Sequence, residues 1–211
     1  MGVRRTLLYA VAAAVAIIIG LGIGYLSFGG SHAPPKTAAL LLNPPKALPA
    51  FTLENGSDAP FVKTNLEGHW SLLYFGYTHC PDVCPTTMAD LNKMMGQLKN
   101  LPAAVQPRVY FISVDPKRDT PALLKEYVHY FNSGFLGMTG AVDQLRVLTK
   151  PLGVAFSYEP QDRSGNYSVD HSAVVFLINP EGKESAIFTP PMIPERMAAD
   201  YRAIVNYYGD R

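Results

Sequence analysis

The sequence has almost no net charge and very few cysteines. Its 211 residues include 18 Lys and Arg against 17 Asp and Glu, a balance that gives no sign of a nucleic-acid-binding surface. It has 2 cysteines, neither of them near residue 30, which excludes a lipoprotein anchor at that point. The sequence also lacks internal repeats, so its length indicates one compact domain with appendages.

Two further absences narrow the choice among thiol proteins. The pattern Pro-x₃-Thr-x₂-Cys does not occur at Cys80, so a peroxidase of the peroxiredoxin type is disfavoured. No proline lies between Gln161 and Pro180, where a thioredoxin would carry a cis-proline before its third core strand. A plain thioredoxin mechanism is therefore disfavoured as well.

A long uncharged segment near the N-terminus predicts a membrane anchor. Residues 7–28 carry no charge and exceed the roughly 20 apolar residues that span a bilayer. Arg4 and Arg5 precede this segment, and the positive-inside rule keeps them in the cytoplasm. We therefore expect a single-pass protein of the bacterial inner membrane whose C-terminal domain lies in the periplasm. The alternative is a cleaved signal peptide with its site at Ser31-His32-Ala33.

The rest of the chain divides into a linker and a folded domain. Residues 1–28 form the predicted anchor. Residues 29–49 contain five prolines, a composition typical of an extended, semi-rigid linker. The folded domain is then expected over residues 50–211, beginning with a short hairpin around the turn signal Asn55-Gly56.

The hydrophobic pattern of that domain predicts an α/β fold. Short apolar runs alternate with segments of helical spacing, and Thr120 followed by Pro121 is typical of a helix start. The expected order is strand 72–77, helix 86–99, strand 108–114, helix 121–131, strand 173–178, strand 185–188 and helix 194–208. A short helix over 144–152 and an edge strand over 154–158 form an insertion. This order predicts a thioredoxin-like sandwich, with a central mixed sheet flanked by helices.

The two cysteines lie where the first core strand gives way to a helix. Cys80 and Cys84 are four positions apart, close enough to form a disulfide or to hold one soft metal ion between two sulfurs. The partial positive charge of a helix N-terminus stabilises a thiolate, so we expect a lowered thiol pKa. A purely structural disulfide is the alternative, but so short a loop gains little stability from closure.

A third ligand is needed to complete a metal site, and His171 is the best placed of the 5 histidines. It lies just before a second buried strand, and a residue there faces the helix start if the two strands are neighbours. Thiolate and imidazole ligands favour Cu(I), Cu(II) or Zn(II) over hard cations. A buried, hydrogen-bonded core histidine remains the alternative explanation of His171.

Three segments resemble the signatures of the Sco/SenC family, in the expected order. They are Phe75-Gly76-Tyr77-Thr78-His79-Cys80-Pro81-Asp82-Val83-Cys84-Pro85-Thr86-Thr87, Asp115-Pro116-Lys117-Arg118-Asp119-Thr120-Pro121 and Asp170-His171-Ser172. The resemblance covers roughly residues 45–208. Members of this family are membrane-tethered copper proteins that take part in cytochrome c oxidase assembly.

The resemblance implies a copper metallochaperone. Cys80, Cys84 and His171 would bind one copper ion, Cu(I) or Cu(II), and the domain would deliver it to the dinuclear copper centre of oxidase subunit II. A periplasmic thiol reductant or copper donor would be a further partner. In the alternative function, the same two cysteines act as a redox pair in a thiol–disulfide reductase that keeps the target cysteines reduced.

Several other residues near these motifs have two interpretations. Asp82 either tunes the charge of the thiolates or caps the helix. Asp115, Arg118 and Asp119 either mark a docking surface or form an ion pair that steadies the loop beside the site. We expect Met88, Met94 and Met95 to pack in the core rather than bind copper, and Phe75 and Tyr77 to pack in the sheet.

Overall fold

The computed structural model describes residues 2, 9, 11–20, 33–57 and 59–209. The chain divides into two compact units, Met1–Pro35 and Lys36–Arg211. In the first unit residues 11–20 are helical. No helix within the described ranges is both long and apolar enough to cross a membrane. Half of the predicted span over residues 7–28 lies outside these ranges.

The second unit is built on a six-stranded mixed sheet. The strands are β1 (Leu40–Ala47), β4 (Ser71–Gly76), β5 (Arg108–Ser113), β6 (Leu136–Met138), β9 (Val175–Ile178) and β10 (Lys183–Phe188). Their order across the sheet is β1-β10-β9-β4-β5-β6, with β4 parallel to β5 and antiparallel to β9. All six residues of β4 are buried, as its apolar sequence predicts.

Two short hairpins lie outside the main sheet. β2 (Thr52–Leu53) pairs with β3 (Phe61–Val62), around the predicted turn at Gly56, whose φ is 80°. β7 (Phe156–Tyr158) pairs with β8 (Val169–His171). The predicted edge strand over 154–158 therefore pairs within its own hairpin. His171 belongs to β8, a short strand separate from β9, which begins at Val175.

Four helices flank the sheet: α1 (Val83–Leu98), α2 (Pro121–Phe131), α3 (Val142–Leu152) and α4 (Pro194–Gly209). α1 packs against both α4 and α2. α2 begins as predicted, since the Thr120 side chain accepts a hydrogen bond from the N–H of Leu123 and Pro121 is the first helical residue. The predicted mixed sheet flanked by helices is confirmed.

The predicted linker over 29–49 needs a correction, because β1 occupies residues 40–47 and pairs antiparallel with β10. Leu40 and Leu41 pair with Ile187 and Ala186, and an apolar edge of this kind favours a further strand. The register shifts between Leu41 and Lys46, where two prolines lie. Prolines are tolerated at this irregular position because β1 is an edge strand.

Candidate metal centre

The cysteine loop, residues 78–84, connects the buried strand β4 to α1. The helix begins at Val83, three residues before the predicted start, because Pro85 is tolerated in a first helical turn. Cys84 is thus helical, whereas Cys80 precedes the helix. The N–H of Cys84 donates to the Cys80 sulfur over 3.3 Å. Cys80 therefore satisfies one of the free N–H groups at the helix start.

This arrangement leaves Asp82 without the capping role considered for it. Asp82 is the residue directly before the helix. Within the part of the chain that the structure describes, which includes the whole first turn of α1, its side chain accepts no hydrogen bond from the N–H groups of that turn. Its backbone carbonyl accepts from the N–H of Thr86 at 3.2 Å. The Asp82 side chain is exposed, so its charge faces solvent beside the cysteine loop.

His171 comes to the cysteines from the histidine hairpin, residues 156–171. It is the last residue of β8 and pairs with Phe156. β9 follows directly and runs antiparallel to β4, with Val175 opposite Tyr74. The two strands are neighbours, which is the condition under which His171 was expected to face the helix, and His171 consequently reaches the start of α1.

The three side chains converge on one point. Nε2 of His171 lies 3.3 Å from Sγ of Cys84. The two sulfurs and one imidazole nitrogen all lie within 4.8 Å of one another, close enough to share a metal ion. Both cysteines are free thiols and both are buried. His79, next to Cys80 in sequence, instead lies near Asp119, with its Nδ1 3.0 Å from the Thr78 hydroxyl oxygen.

Burial reverses the expected shift in the pKa of Cys84. Its side chain is fully buried, and desolvation of the charged form raises the pKa of the thiol to about 12. Hydrogen bonds from the backbone of Tyr77 and from the side chain of Tyr74 oppose this shift in pKa but do not overcome it. The predicted lowering is therefore wrong for Cys84, which keeps its proton at neutral pH until a metal displaces it.

The hydrogen bonds around His171 select one tautomer. Its Nδ1 lies 3.3 Å from the carbonyl oxygen of Ser172, which can only accept, so Nδ1 carries the proton. Nε2 then presents its lone pair to the S–H of Cys84. Burial lowers the pKa of His171 below its ordinary value and favours this neutral form. A neutral imidazole oriented by a backbone carbonyl is the usual state of a metal ligand.

The sequence of this chain matches one protein family over most of its length. The profile of the SCO1/SenC family aligns with residues 42–206. The chain belongs to the SCO1/SenC family. This finding confirms the resemblance drawn from the three motifs.

Individual relatives agree with this assignment. A putative copper-binding protein of Stutzerimonas stutzeri is 42% identical over 145 residues, which is 68% of this chain and 69% of that one. The mitochondrial SCO2 protein of Saccharomyces cerevisiae is 43% identical over 136 residues, or 63% of this chain and 44% of the yeast protein. The chain thus spans less than half the length of that mitochondrial relative. The crystal structure of yeast Sco1 with copper bound superposes with a TM-score of 0.69, at 32% identity, covering 79% of this chain and 91% of that one.

Two aromatic residues of this SCO1/SenC protein line the imidazole, and the sequence had suggested only sheet packing for this region. The rings of Tyr74 and Tyr77 meet the ring of His171 edge-on, with centroid distances of 6.2 and 5.9 Å. Burial, and then the charge of the Cys84 thiolate, raise the pKa of Tyr74. Phe75 packs against Phe176 in the core, as expected. The position of Tyr74 three residues before Tyr77 gave no sign of this role.

Gly76 lies against the Cys84 sulfur and was also missed. A Cβ at this position would lie 2.7 Å from Sγ of Cys84 and 2.8 Å from a ring carbon of Phe111. Only glycine lets the end of β4 approach the thiol this closely. A glycine at the end of a buried strand, just before a cysteine loop, is the signal that could have identified it.

The remaining motif residues lie behind the site. Asp115 and Asp119 are fully buried, and Arg118 forms an ion pair with Asp115. Met88 and Met94 are fully buried in the core and Met95 packs against it, so the expectation of core packing is confirmed. The burial of Asp115 and Asp119 and the ion pair with Arg118 favour the interpretation that this motif steadies the loop beside the site over the interpretation that it is a docking surface.

Proposed function

We propose that this protein binds one copper ion through Cys80, Cys84 and His171, and that it serves in cytochrome c oxidase assembly. The observation that carries the proposal is the convergence of two sulfurs and one unprotonated imidazole nitrogen within 4.8 Å. Soft thiolates with an imidazole suit copper and do not suit hard cations. The copper-bound structure of yeast Sco1 and the copper-binding relative from Stutzerimonas stutzeri support this choice of metal.

The donor set fits a protein that releases its metal. Three protein ligands leave a coordination position open, and thiolates of a target can enter there by ligand exchange. Cys84 is fully buried, whereas Cys80 retains 9% of its exposure, so the route of exchange passes the Cys80 side. We propose the dinuclear copper centre of oxidase subunit II as the recipient, supplied in turn by a periplasmic copper donor.

The placement of the domain is part of the same proposal. Residues 1–28 anchor the protein in the bacterial inner membrane as a single pass, and the copper-binding domain extends into the periplasm. The uncharged segment over residues 7–28 and the preceding Arg4 and Arg5 support this arrangement. An anchor would hold the copper site near a membrane-bound oxidase.

A thiol–disulfide reductase is the second candidate, because Cys80 and Cys84 are free and adjacent. The raised pKa of Cys84 makes this buried thiol a weak nucleophile, so in a reductase Cys80 would have to make the first attack. A copper ion, in contrast, displaces the proton as it binds. The periplasmic thiol reductant would then serve to keep the cysteine pair open for copper.

The test is a titration of the reduced full-length chain, in detergent, with Cu(I). We expect one copper per chain, its loss in Cys80→Ser and Cys84→Ser, and a weakened site in His171→Ala. His79→Ala is the matched control, since it removes a neighbouring imidazole that does not join the cluster. Unchanged binding in Cys84→Ser would contradict the proposal. Full support of oxidase assembly by His171→Ala would favour the reductase, which needs only the two cysteines.

A further inference from the structure

The two parts of the site come from distant parts of the chain, and one short segment contacts both. The bridging segment, residues 115–119, joins β5 to α2 behind the site. Its backbone folds into a turn, because the N–H groups of Arg118 and Asp119 both donate to the carbonyl of Asp115, at 3.2 and 3.0 Å. The N–H of Asp115 donates in turn to the Ser113 hydroxyl at 3.0 Å. The two ends of this segment are thereby held at a fixed spacing.

One end of the bridging segment holds the cysteine loop. The fully buried carboxylate of Asp119 accepts hydrogen bonds from the N–H of Thr78 at 2.9 Å and from its hydroxyl at 2.6 Å. The Ser113 hydroxyl donates to the same carboxylate at 2.5 Å. Since Thr78 lies two residues before Cys80, Asp119 fixes the start of the loop that carries both thiols.

The other end holds the histidine hairpin. Nη1 of Arg118 donates to the carbonyl of Tyr167 at 2.9 Å, and the guanidinium carbon lies 3.6 Å from the centre of the Tyr167 ring. Nε of Arg118 bonds one oxygen of Asp115, and the Tyr167 hydroxyl donates to the other at 2.7 Å. The three side chains form a closed ring of contacts just ahead of β8, four residues before His171.

The hairpin depends on such contacts because it lies outside the main sheet. Among the described strands, β8 pairs with β7 alone. Arg118 is suited to this position, since its planar fork can bond a carboxylate and a carbonyl while stacking on an aromatic ring. A lysine would keep the charge and lose both the fork and the stacking.

We infer that Arg118, held by Asp115, is a positioning residue that sets the spacing between His171 and the two thiols. Through Tyr167 it determines whether copper is held by three ligands or by the sulfurs alone. This inference rests on the proposed function, because it concerns the same copper site. Arg118 itself binds no metal; it acts through the hairpin that carries the imidazole.

The first expected effect is on affinity and on the copper spectrum. Loss of the charged hydrogen bond and the stacking in Arg118→Lys should weaken copper binding about tenfold, as His171 leaves its ligand position for much of the time. The nitrogen coupling of the Cu(II) form, which reports imidazole ligation, should decrease in the same variant. Tyr167→Phe keeps the stacking but loses the bond to Asp115, so its effect should be smaller.

The decisive experiment introduces Arg118→Lys both into the otherwise unchanged full-length chain and into His171→Ala. A residue that acts through His171 has its effect in the first background and none in the second. We expect about a tenfold loss of affinity in the first and less than a twofold change in the second. Arg202→Lys is the matched control, because Arg202 donates to a backbone carbonyl at 2.6 Å, that of Gln97 in the last turn of α1.

Two results would overturn the inference. Equal losses in both backgrounds would mean that Arg118 only stabilises the fold, and undiminished nitrogen coupling in Arg118→Lys would mean that His171 needs no such positioning. If Arg118→Lys does not fold, the same pair of backgrounds is compared for Tyr167→Phe. Copper binding that is insensitive to His171→Ala alone would instead refute the proposed three-ligand site, and this outcome is visible before Arg118 is changed.

Discussion

The cysteine loop and the histidine hairpin contribute to one site but are held in the fold very differently. The loop continues from β4, whose six residues are all buried and which lies between β9 and β5. The hairpin stands beside the sheet, and two of the three residues of β7 are exposed. The sulfurs are therefore fixed by an element continuous with the main sheet, whereas the imidazole is fixed by the side-chain contacts of a hairpin outside that sheet.

Because the two parts are held differently, the two sulfurs and the imidazole nitrogen should differ in how easily they move. A donor built into a close-packed core has one position, because its neighbours leave no room for another. A donor on a short hairpin moves whenever the few contacts that secure the hairpin open, and such local opening costs less than global unfolding. The proposed function requires release of the metal, and the hairpin is the part of the site that can release first.

The pH dependence of copper affinity should separate the two parts most strongly. Cys84, with a pKa of about 12, must lose a proton to bind copper at any pH near neutrality. Lowering the pH from 8 to 6 should therefore weaken binding by about a hundredfold through this thiol alone. A competition titration against a Cu(I) chelator of known pH dependence measures the effect.

The imidazole should contribute less to that slope than the thiol. Burial lowers the pKa of His171 below its ordinary value, so protons compete with copper for the imidazole less than for the Cys84 thiol as the pH falls from 8 to 6. The variant His171→Ala should bind more weakly at every pH and should keep the larger part of the slope. A slope that largely disappears in His171→Ala would place the main competing proton on the hairpin and contradict the comparison.

The rigidity of the cysteine part can be tested at Gly76. In Gly76→Ala the added methyl would have to displace the Cys84 sulfur and the Phe111 ring, which lie 2.7 and 2.8 Å from its ideal position. Overpacking of a core position costs about 1–3 kcal/mol. We expect copper affinity to fall about tenfold or more, together with the free energy of unfolding measured by urea titration.

Gly96 offers a control of the same chemistry. It lies in α1, and a Cβ added there would meet no described atom within 4 Å. Gly96→Ala should leave copper binding unchanged and stabilise the helix by up to about 1 kcal/mol. Unimpaired copper binding in Gly76→Ala would show that the sulfur has room to move, and the cysteine part would then be no more rigid than the hairpin.

The contrast also explains what the sequence could predict. The core elements follow from local patterns: the apolar run of β4 and the Thr120–Pro121 helix start were both expected and occur. β1 was missed because its prolines argued against a strand. Its pairing with β10 depends on a partner about 140 residues away in the sequence, and single-sequence patterns carry no information about such partners.

In the candidate site, too, the features set by local sequence were predicted and those set by tertiary packing were not. The Cys80–Cys84 spacing and the buried strand after His171, together with the resemblance to the Sco/SenC family, predicted that the three side chains meet, and they do. The hairpin strand β8 was not predicted, since three residues are too few for a periodic signal. The pKa of Cys84 was predicted in the wrong direction, because the helix start is evident in the sequence whereas the depth of burial arises from tertiary packing.

The smallest effect is expected at Tyr158, which secures the hairpin to the last residue before the bridging segment. Its hydroxyl donates to the carbonyl of Val114 over 2.7 Å. Tyr158→Phe removes this bond, which is worth about 0.5–1.5 kcal/mol, and should weaken copper binding only a few-fold. Amide hydrogen exchange should accelerate in the hairpin, for example at the N–H of Glu159, which donates to the carbonyl of Ser168.

Tyr201→Phe is the matched control, since the Tyr201 hydroxyl also donates to a backbone carbonyl, that of Val105, at 2.6 Å. It should cost a similar free energy without changing exchange in the hairpin. If the hairpin opens as a local unit, Tyr158→Phe accelerates exchange there and leaves the amides of β4 unchanged. Faster exchange throughout the sheet would mean that the hairpin opens only with the core, and the two parts of the site would then be held equally firmly.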